Sequence, residues 1–195
     1  MDGERQRDAQ RTKTSILDAA LVEFGEHGFA GARTVAIARR ARVNPQLISY
    51  YFDGKAGLYQ ALARRWQTHA GPLSELDVPL DQVVGHFVRA SVENRSWARL
   101  LVWEGLAGPE GRGEDSEAGT FFSTMVDGIR ERQERGQIAQ ELNPATVLIV
   151  LFAAAVAPVS MPHVTERISG APADSPEFLE RYVDQLGQIV RQLTG

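Results

Sequence analysis

Apolar residues recur along most of the chain at intervals of three and four, the spacing that places them on one face of an α-helix. The first such segment runs from about Arg11 to His27. Its predicted buried stripe consists of Ile16, Leu17, Ala20, Leu21 and Phe24. No segment shows the alternating pattern of a half-buried strand, so the sequence predicts an all-α fold.

Three further helices are predicted close behind the first one. Gly28 suits the left-handed residue after the end of that helix. Thr34 suits the N-cap of a second helix, and Asn44 the N-cap of a third helix in which Pro45 takes the first position. Asp53 suits the N-cap of a longer fourth helix that continues to about residue 68.

The rest of the chain predicts five more helices and two loops. The helices cover about residues 80–94, 96–106, 120–135, 144–156 and 176–193, and the loops cover 107–119 and 160–174. The helix at 144–156 is apolar on every side, which is typical of a buried helix. It is shorter than the roughly 20 residues that cross a bilayer, so no membrane partner is predicted.

The short third helix has two different faces. Ile48, Tyr51 and Phe52 form an apolar face that must pack against the preceding helices, since so short a helix is marginal alone. The other side chains point outward: Gln46, Leu47 and Tyr50, with Ser49 at the edge. Two short helices joined by a tight turn predict a helix-turn-helix, whose second helix enters the DNA major groove. There Gln can pair with adenine, and an apolar side chain can contact a thymine methyl group.

Charge supports a polyanionic partner for the first part of the chain only. Residues 1–70 carry a net charge of +4, whereas residues 71–195 carry −8. Lys55 lies in the first turn of the fourth helix, where the helix dipole disfavours a cation. A DNA phosphate bound at that helix start would account for the lysine, and the helix start at Thr34 offers a similar site.

The segment TVAIARRARVNPQLISYYFDGKAGLYQAL, residues 34–62, resembles the DNA-binding signature of the tetracycline-repressor-like (TetR) family of transcriptional regulators. The matching positions are Thr34, Ile37, Ala38, Val43, Asn44, Pro45, Tyr50, Tyr51, Phe52, Lys55 and Leu58. Arg42 stands where members often have Gly, so the turn is expected to differ slightly. Ser49 stands where many have Tyr, so Tyr50 is expected to take more of the contact with the DNA backbone.

The resemblance implies a division of the chain into a flexible arm at 1–10, a helix-turn-helix domain at 11–55, and a helical ligand-binding and dimerisation domain at 56–195. Such arms can lie along the DNA backbone or in the minor groove, and this one holds Arg5 and Arg7. The expected DNA-binding residues are Arg11, Lys13, Thr34, Asn44, Pro45, Gln46, Leu47, Ser49, Tyr50 and Lys55.

The resemblance also implies that the last two long helices pair with those of a second copy in a four-helix bundle. The interface residues would be Leu148, Leu151, Phe152, Ala154, Ala155, Phe178, Tyr182, Leu186 and Ile189. A cavity for a small, mostly apolar effector is expected among the fourth to eighth helices. Its lining would be Trp66, His86, Phe87, Trp97, Leu101, Glu104, Phe121, Phe122 and Met125. Burial within one subunit is the alternative for the first set, and plain core for the second.

The function predicted from these patterns is that of a cytoplasmic, homodimeric, ligand-responsive regulator, expected to be a repressor, that binds an inverted-repeat DNA operator. An enzyme is not expected, because the four histidines show no metal-ligand spacing and no phosphate-binding glycine loop occurs. No cofactor or metal is predicted, and the absence of cysteine excludes thiolate chemistry. The alternative is a helical adaptor, or a regulator without a small-molecule ligand.

Overall fold

A computed structural model describes residues 2–69, 77–106 and 117–193. This part of the chain forms ten helices and no strand, which confirms the predicted all-α class. The helices are α1 Asp2–Gly31, α2 Thr34–Ala41, α3 Gln46–Phe52, α4 Gly54–His69, α5 Leu80–Glu93, α6 Arg95–Leu106, α7 Glu117–Glu134, α8 Pro144–Ser160, α9 Pro162–Ser169 and α10 Pro176–Leu193.

The first helix is longer than predicted at both ends. Residues 2–10, expected to be a flexible arm, continue α1, because Glu, Arg, Gln and Ala in this stretch all favour helix. Gly28 has the predicted positive φ of 67°, with ψ at 177°, but helical geometry resumes after it and continues to Gly31. The chain therefore bends at Gly28 instead of leaving the helix there.

The loop predicted at 160–174 was wrong in part, because it contains the eight-residue helix α9. Pro162 occupies the first turn of α9, and Gly170 ends the helix in a left-handed conformation with φ at 69°. These are ordinary start and stop signals. The helix between them has no buried residue. Its two large apolar side chains, Val164 and Ile168, are exposed, and two positions are too short a pattern to predict a helix.

The described residues form two compact units, and each unit has its own core. The first unit comprises 2–69 and 99–106, and the second comprises 77–98 and 117–193, so α6 contributes to both. The domain boundary predicted at residue 55 stays a prediction.

Helices α1 to α4 enclose the core of the first unit. Its most deeply buried side chains have at most 1% of their surface exposed: Ile16, Ala20, Phe24, Ile37, Ala38, Ile48, Leu58 and Leu62. Burying one such large side chain stabilises the fold by about 1.5–3 kcal/mol. The single buried side chain of α3, Ile48, therefore fixes this helix on its neighbours.

The core of the second unit lies among α5, α7, α8 and α10. It is built on a cluster of buried aliphatic side chains: Leu80, Val84, Val88, Ile129, Ile138, Val147, Leu148, Leu151, Ala155, Leu186 and Val190. The buried side chain of Gln133 closes the connection after α7, since its Nε2 donates to the carbonyls of Ala139 and Leu142, both at 2.8 Å.

Pro158 lies inside α8 and is buried. Because proline has no N–H, the carbonyl of Ala154, four residues earlier, loses its helical donor. The hydroxyl of Tyr182 in α10 donates to this carbonyl at 2.8 Å. Burial raises the pKa of Tyr182 above its ordinary value, which keeps the hydroxyl protonated and able to donate. The defect in α8 is thus compensated by α10.

No single described helix is long and apolar enough to cross a membrane. By length and composition α8 and α9 qualify only as a pair, and the two helices meet at a bend of 94°.

We expect Tyr182→Phe to lower the free energy of unfolding by about 1–3 kcal/mol, because a partly buried carbonyl loses its donor. Urea unfolding measures the change. In a Pro158→Ala background, the N–H of residue 158 can donate to the Ala154 carbonyl. Tyr182→Phe should then lower the free energy of unfolding by clearly less than it does in the wild-type protein. An equal loss in both backgrounds would show that the orphaned carbonyl is not the reason.

Candidate nucleic-acid interface

The turn between α2 and α3 is closed by a residue in the left-handed region. Arg42 has φ 57° and ψ 42°, its N–H donates to the carbonyl of Arg39, and the N–H of Val43 donates to Ala38. These bonds satisfy carbonyls at the end of α2. A non-glycine residue is disfavoured in this conformation by about 1–2 kcal/mol. Arg42 adopts it nevertheless, so the expectation of a different turn was wrong.

The start of α3 agrees with the sequence prediction. The side-chain oxygen of Asn44 accepts from the N–H of Gln46 at 2.9 Å, and Pro45 already has helical angles, with φ −52° and ψ −30°. Asn44 therefore satisfies one of the free donors at this helix start. Since α3 has only seven residues, the Asn44 cap and the buried Ile48 together stabilise most of the helix.

Two other predicted caps have different roles. Thr34 is the first residue of α2, and the extended residue before it is Arg33, which makes no side-chain cap. The buried carboxylate of Glu23 accepts from the N–H of Arg33 at 3.3 Å and so serves this helix start from α1. Because Glu23 lies ten residues before Arg33, the local sequence around α2 gives no signal of this contact.

Asp53, predicted as the N-cap of the fourth helix, ends α3 in a left-handed conformation, and its N–H donates to the carbonyl of Ser49.

The two faces of α3 are as predicted, with one difference. Ile48 is 1% exposed, and Tyr51 and Phe52 are half-buried. Gln46, Ser49 and Tyr50 are exposed, whereas Leu47 is half-buried. Tyr50 has 78% of its surface exposed and lies edge-on to the ring of Tyr51 at 4.9 Å. The helix thus presents an amide, a hydroxyl and a phenol to solvent.

The junction between α3 and α4 requires a glycine. A Cβ atom at Gly57 would lie 1.8 Å from the carbonyl oxygen of Phe52, a distance that no side chain can occupy. Gly54 also has a positive φ, at 86°. These two glycines allow α4, with Lys55 in its first turn, to begin directly after α3.

Lys55 reaches back from the first turn of α4 to the end of α1. Its Nζ donates to the carbonyl of Ala30 at 3.2 Å and lies 4.8 Å from the centre of the Phe29 ring. Ala30 precedes the first residue of α2, Thr34, by four positions. The start of α4 is therefore tied to the last turn of α1, which precedes α2 in the chain.

Further basic side chains lie along α1. Lys13 places its Nζ 5.4 Å from the ring centre of Tyr51 in α3. Arg7 and Arg11 line an open cleft of about 710 Å³, and Arg40 at the end of α2 lines it too. Arg40, which is not among the predicted DNA-binding residues, pairs with Glu26 at 3.4 Å. The side chain of Arg5 lies outside the described residues.

The residues predicted to line an effector cavity have varied positions. Phe87 and Met125 pack against the core of the second unit, and Phe122 meets Phe152 edge-on at 5.6 Å. His86 is exposed and lines a groove between α5 and α10, and Trp97 is half-buried in the second unit. Leu101 is half-buried in the first unit. The predicted side chains of Trp66, Glu104 and Phe121 lie outside the described residues, so the cavity stays a prediction.

Most residues predicted at a dimer interface take part in the interior of the subunit. Those that are buried are Leu148, Leu151, Ala155, Phe178 and Leu186, while Phe152, Ala154 and Tyr182 are half-buried. Ile189 is exposed. Other apolar side chains of α8 and α9 are exposed, and the sequence reasoning missed them: Ile149, Val150, Val164 and Ile168. Because α8 is apolar all round, its pattern could not show which face is covered.

One group in the described residues has the donor types of a metal site. Ligand atoms of Glu23, Glu26 and His27 lie within 4.8 Å of one another. Glu23 already accepts from the N–H of Arg33, and Glu26 pairs with Arg40 at 3.4 Å. These carboxylates therefore have structural partners, and the group gives no reason to invoke a metal.

Family models match both units of the chain. The model described as bacterial regulatory proteins of the tetR family matches residues 16–62, and the tetracyclin repressor-like C-terminal domain matches residues 79–188. The chain belongs to the TetR family. This confirms the resemblance noted in the sequence, and the segment from α2 to α3 is the helix-turn-helix of a TetR-family transcriptional regulator.

Individual relatives agree with this assignment. The HTH-type transcriptional repressor SCO4008 of Streptomyces coelicolor is 31% identical over 170 residues, covering 84% of this chain and 86% of that protein. The HTH-type transcriptional regulator UidR of Escherichia coli is 28% identical over 152 residues, covering 72% and 76%. These relatives are named as regulators and not as enzymes.

Solved structures share the fold of this TetR-family chain. SCO4942 of Streptomyces coelicolor has a TM-score of 0.73 at 24% identity, covering 93% of this chain and 97% of that one. Salmonella enterica GusR has a TM-score of 0.63 at 20% identity, covering 92% and 95%. At these identities the likeness concerns the fold alone.

Proposed function

We propose that this TetR-family protein is a repressor that binds an inverted-repeat operator as a homodimer and releases it when a small apolar effector binds. The observation that carries the DNA-binding part is the geometry of α3. Its inner face is locked by Ile48, while Gln46, Ser49 and Tyr50 are exposed beside Lys55. The repressor name of the relative SCO4008 supports the direction of regulation.

The DNA contacts divide into two groups by chemistry. Gln46, Leu47, Ser49 and Tyr50 belong to the face of α3 that would enter the major groove and read base edges. The remaining predicted residues would contact phosphates and fix the position of that helix on the duplex. They are Arg11, Lys13, Thr34 and Lys55, with Asn44 and Pro45 shaping the start of α3.

We expect Gln46→Ala to relax the preference at one base pair of each half-site, by about 1–3 kcal/mol if Gln46 pairs with adenine. Duplexes selected from a random pool by the wild-type protein and by the variant provide the comparison. The same selection tests the whole proposal, because a repressor of this kind should recover an inverted repeat.

Two variants serve as controls for base reading. Gln60→Ala removes an exposed glutamine from α4 and should leave the selected sequence unchanged. Lys55→Ala should weaken all duplexes alike and reduce the slope of log affinity against log salt by about 2, as expected when each protomer of the dimer loses one phosphate contact. Unaltered preference in Gln46→Ala would exclude this residue from base reading.

The dimer part of the proposal rests on apolar side chains that one subunit leaves exposed. Ile149 and Val150 in α8 are 67% and 55% exposed, and Ile168 in α9 is 82% exposed. Val164 in α9 and Ile189 in α10 are exposed as well. Apolar side chains grouped on a surface are typical of a protein interface, whereas isolated ones are ordinary, so the neighbouring residues Ile149 and Val150 carry most of this proposal. The predicted interface residues that are buried in one subunit would instead pack α8 against α10 within that subunit. They would thereby hold the exposed residues in place for the contact with the second copy.

Val150→Glu is expected to produce folded monomers, because two copies of the new carboxylate would be buried at a two-fold interface. Sedimentation equilibrium at micromolar concentration measures the assembly state. Val35→Glu is the matched control, since Val35 is an exposed valine of the first unit and should leave the dimer intact. A wild-type protein that sediments as a monomer would remove dimerisation from the proposal.

The effector part of the proposal rests on the aromatic and sulfur-containing side chains of α5 to α7. Phe87, Trp97, Phe122 and Met125 are half-buried in the second unit, which an apolar ligand could use for contact. An effector that binds one state of the protein better would shift the population toward that state. The change that the effector makes in DNA affinity cannot exceed the ratio of its affinities for the two states.

We expect operator DNA to weaken effector binding by the same factor by which the effector weakens DNA binding, since coupling is reciprocal and typically about 1–3 kcal/mol. Calorimetric titration of a hit from a screen of hydrophobic compounds, with and without the selected duplex, measures this factor. Equal affinities in the two titrations would mean that the compound does not regulate. A screen without binders would favour a regulator controlled by its abundance alone.

A further inference from the structure

The bend at Gly28 gives the next residue an unusual place for a large apolar side chain. Phe29 has 43% of its surface exposed. Its ring is nevertheless held on two sides, by Phe24 in a stacked arrangement at 6.0 Å and by Tyr59 of α4 edge-on at 5.1 Å. The remaining surface is therefore presented in a fixed orientation.

Gly28 cannot be replaced without disturbing this arrangement. Its φ of 67° with ψ of 177° belongs to a region that is essentially restricted to glycine. A Cβ atom there would also lie 3.0 Å from the Trp103 indole, which packs directly on the glycine. The bend that orients Phe29 and Ala30 is thus fixed by the backbone and by a covering side chain.

Lys55 is held by both residues that follow the bend. Its ammonium group lies 4.8 Å from the centre of the Phe29 ring, within the range of a cation–π interaction, and it donates to the Ala30 carbonyl at 3.2 Å. An ammonium group has three donors, and Ala30 accepts one. The Phe29 ring and the Ala30 carbonyl thus fix the position of the ammonium group, and its other donors can still bind an anion.

We infer that Phe29 is a positioning residue for the phosphate contact of Lys55, an inference that rests on the proposed DNA-binding function. A lysine side chain loses more rotamer freedom than most when it is fixed. The Phe29 ring and the Ala30 carbonyl fix it before DNA arrives, so less freedom remains to be lost on binding. Phe29 thereby contributes to DNA affinity without touching DNA.

A purely structural role for Phe29 makes a different prediction. If the ring only packs against Phe24 and Tyr59, its removal disturbs the first unit whether or not Lys55 is present. If the ring positions Lys55, its removal matters for DNA binding only when Lys55 is there to be positioned. A double-mutant cycle separates the two roles.

The experiment measures the affinity of four dimeric proteins for a fluorescein-labelled duplex that carries the selected operator. The proteins are wild type, Phe29→Leu, Lys55→Ala and the double variant. We expect Phe29→Leu to weaken binding about five- to thirtyfold in the presence of Lys55, the size of two exposed cation–π interactions, one in each protomer, and to have no further effect in Lys55→Ala. Phe29→Tyr retains a ring and should bind like wild type.

Tyr59→Leu removes one of the two rings that hold Phe29, so any weakening of DNA binding that it causes should also be smaller in the Lys55→Ala background. Thermal unfolding identifies the temperature at which every variant is folded, and the titrations are made below it. Equal losses from Phe29→Leu in both backgrounds would overturn the inference while leaving DNA binding in place. A wild-type protein that binds no duplex would overturn the proposed function and this inference with it.

Discussion

The seven residues of α3 must be held in place by other parts of the chain, because an isolated helix needs about 12–15 residues to be even marginally stable in water. Ile48 supplies the tertiary contact, the left-handed residue Arg42 closes the turn before the helix, and the left-handed residue Asp53 ends it. Each left-handed residue costs about 1–2 kcal/mol. The core of α1, α2 and α4 maintains both, so the recognition surface has a fixed shape before it meets DNA.

The second unit shows the same dependence on distant partners within a longer helix. Proline inside α8 removes the donor for the Ala154 carbonyl, and Tyr182, 28 residues away, replaces it. The hydrogen bond connects α10 to α8 at the position where α8 lacks one of its own backbone hydrogen bonds. Since the inner face of α8 is committed to the core, its apolar residues Ile149 and Val150 remain exposed in the single subunit.

Local signals in the sequence were sufficient for the fold class, the short helix α3 and its cap. Asn44, Pro45 and the spacing of Ile48 act within one turn, so a single stretch of sequence contains the evidence. The sequence could not show which side of α8 is covered, because every side is apolar. It also could not show that Glu23 serves the start of α2, or that Lys55 meets Ala30, because those partners are 10 and 25 residues apart.

The position of Lys55 changes the argument for a phosphate contact. A cation at the start of α4 is disfavoured by the dipole of that helix, and the sequence alone therefore suggested an anionic ligand. In the structure the ammonium group also lies at the carboxyl end of α1, where free carbonyls favour a cation, and Ala30 accepts one of its protons. The lysine is thus stable without DNA. A phosphate contact therefore depends on where the ammonium group is fixed. It lies in the first turn of α4, against the carboxyl end of α1, with donors beyond the one that Ala30 accepts.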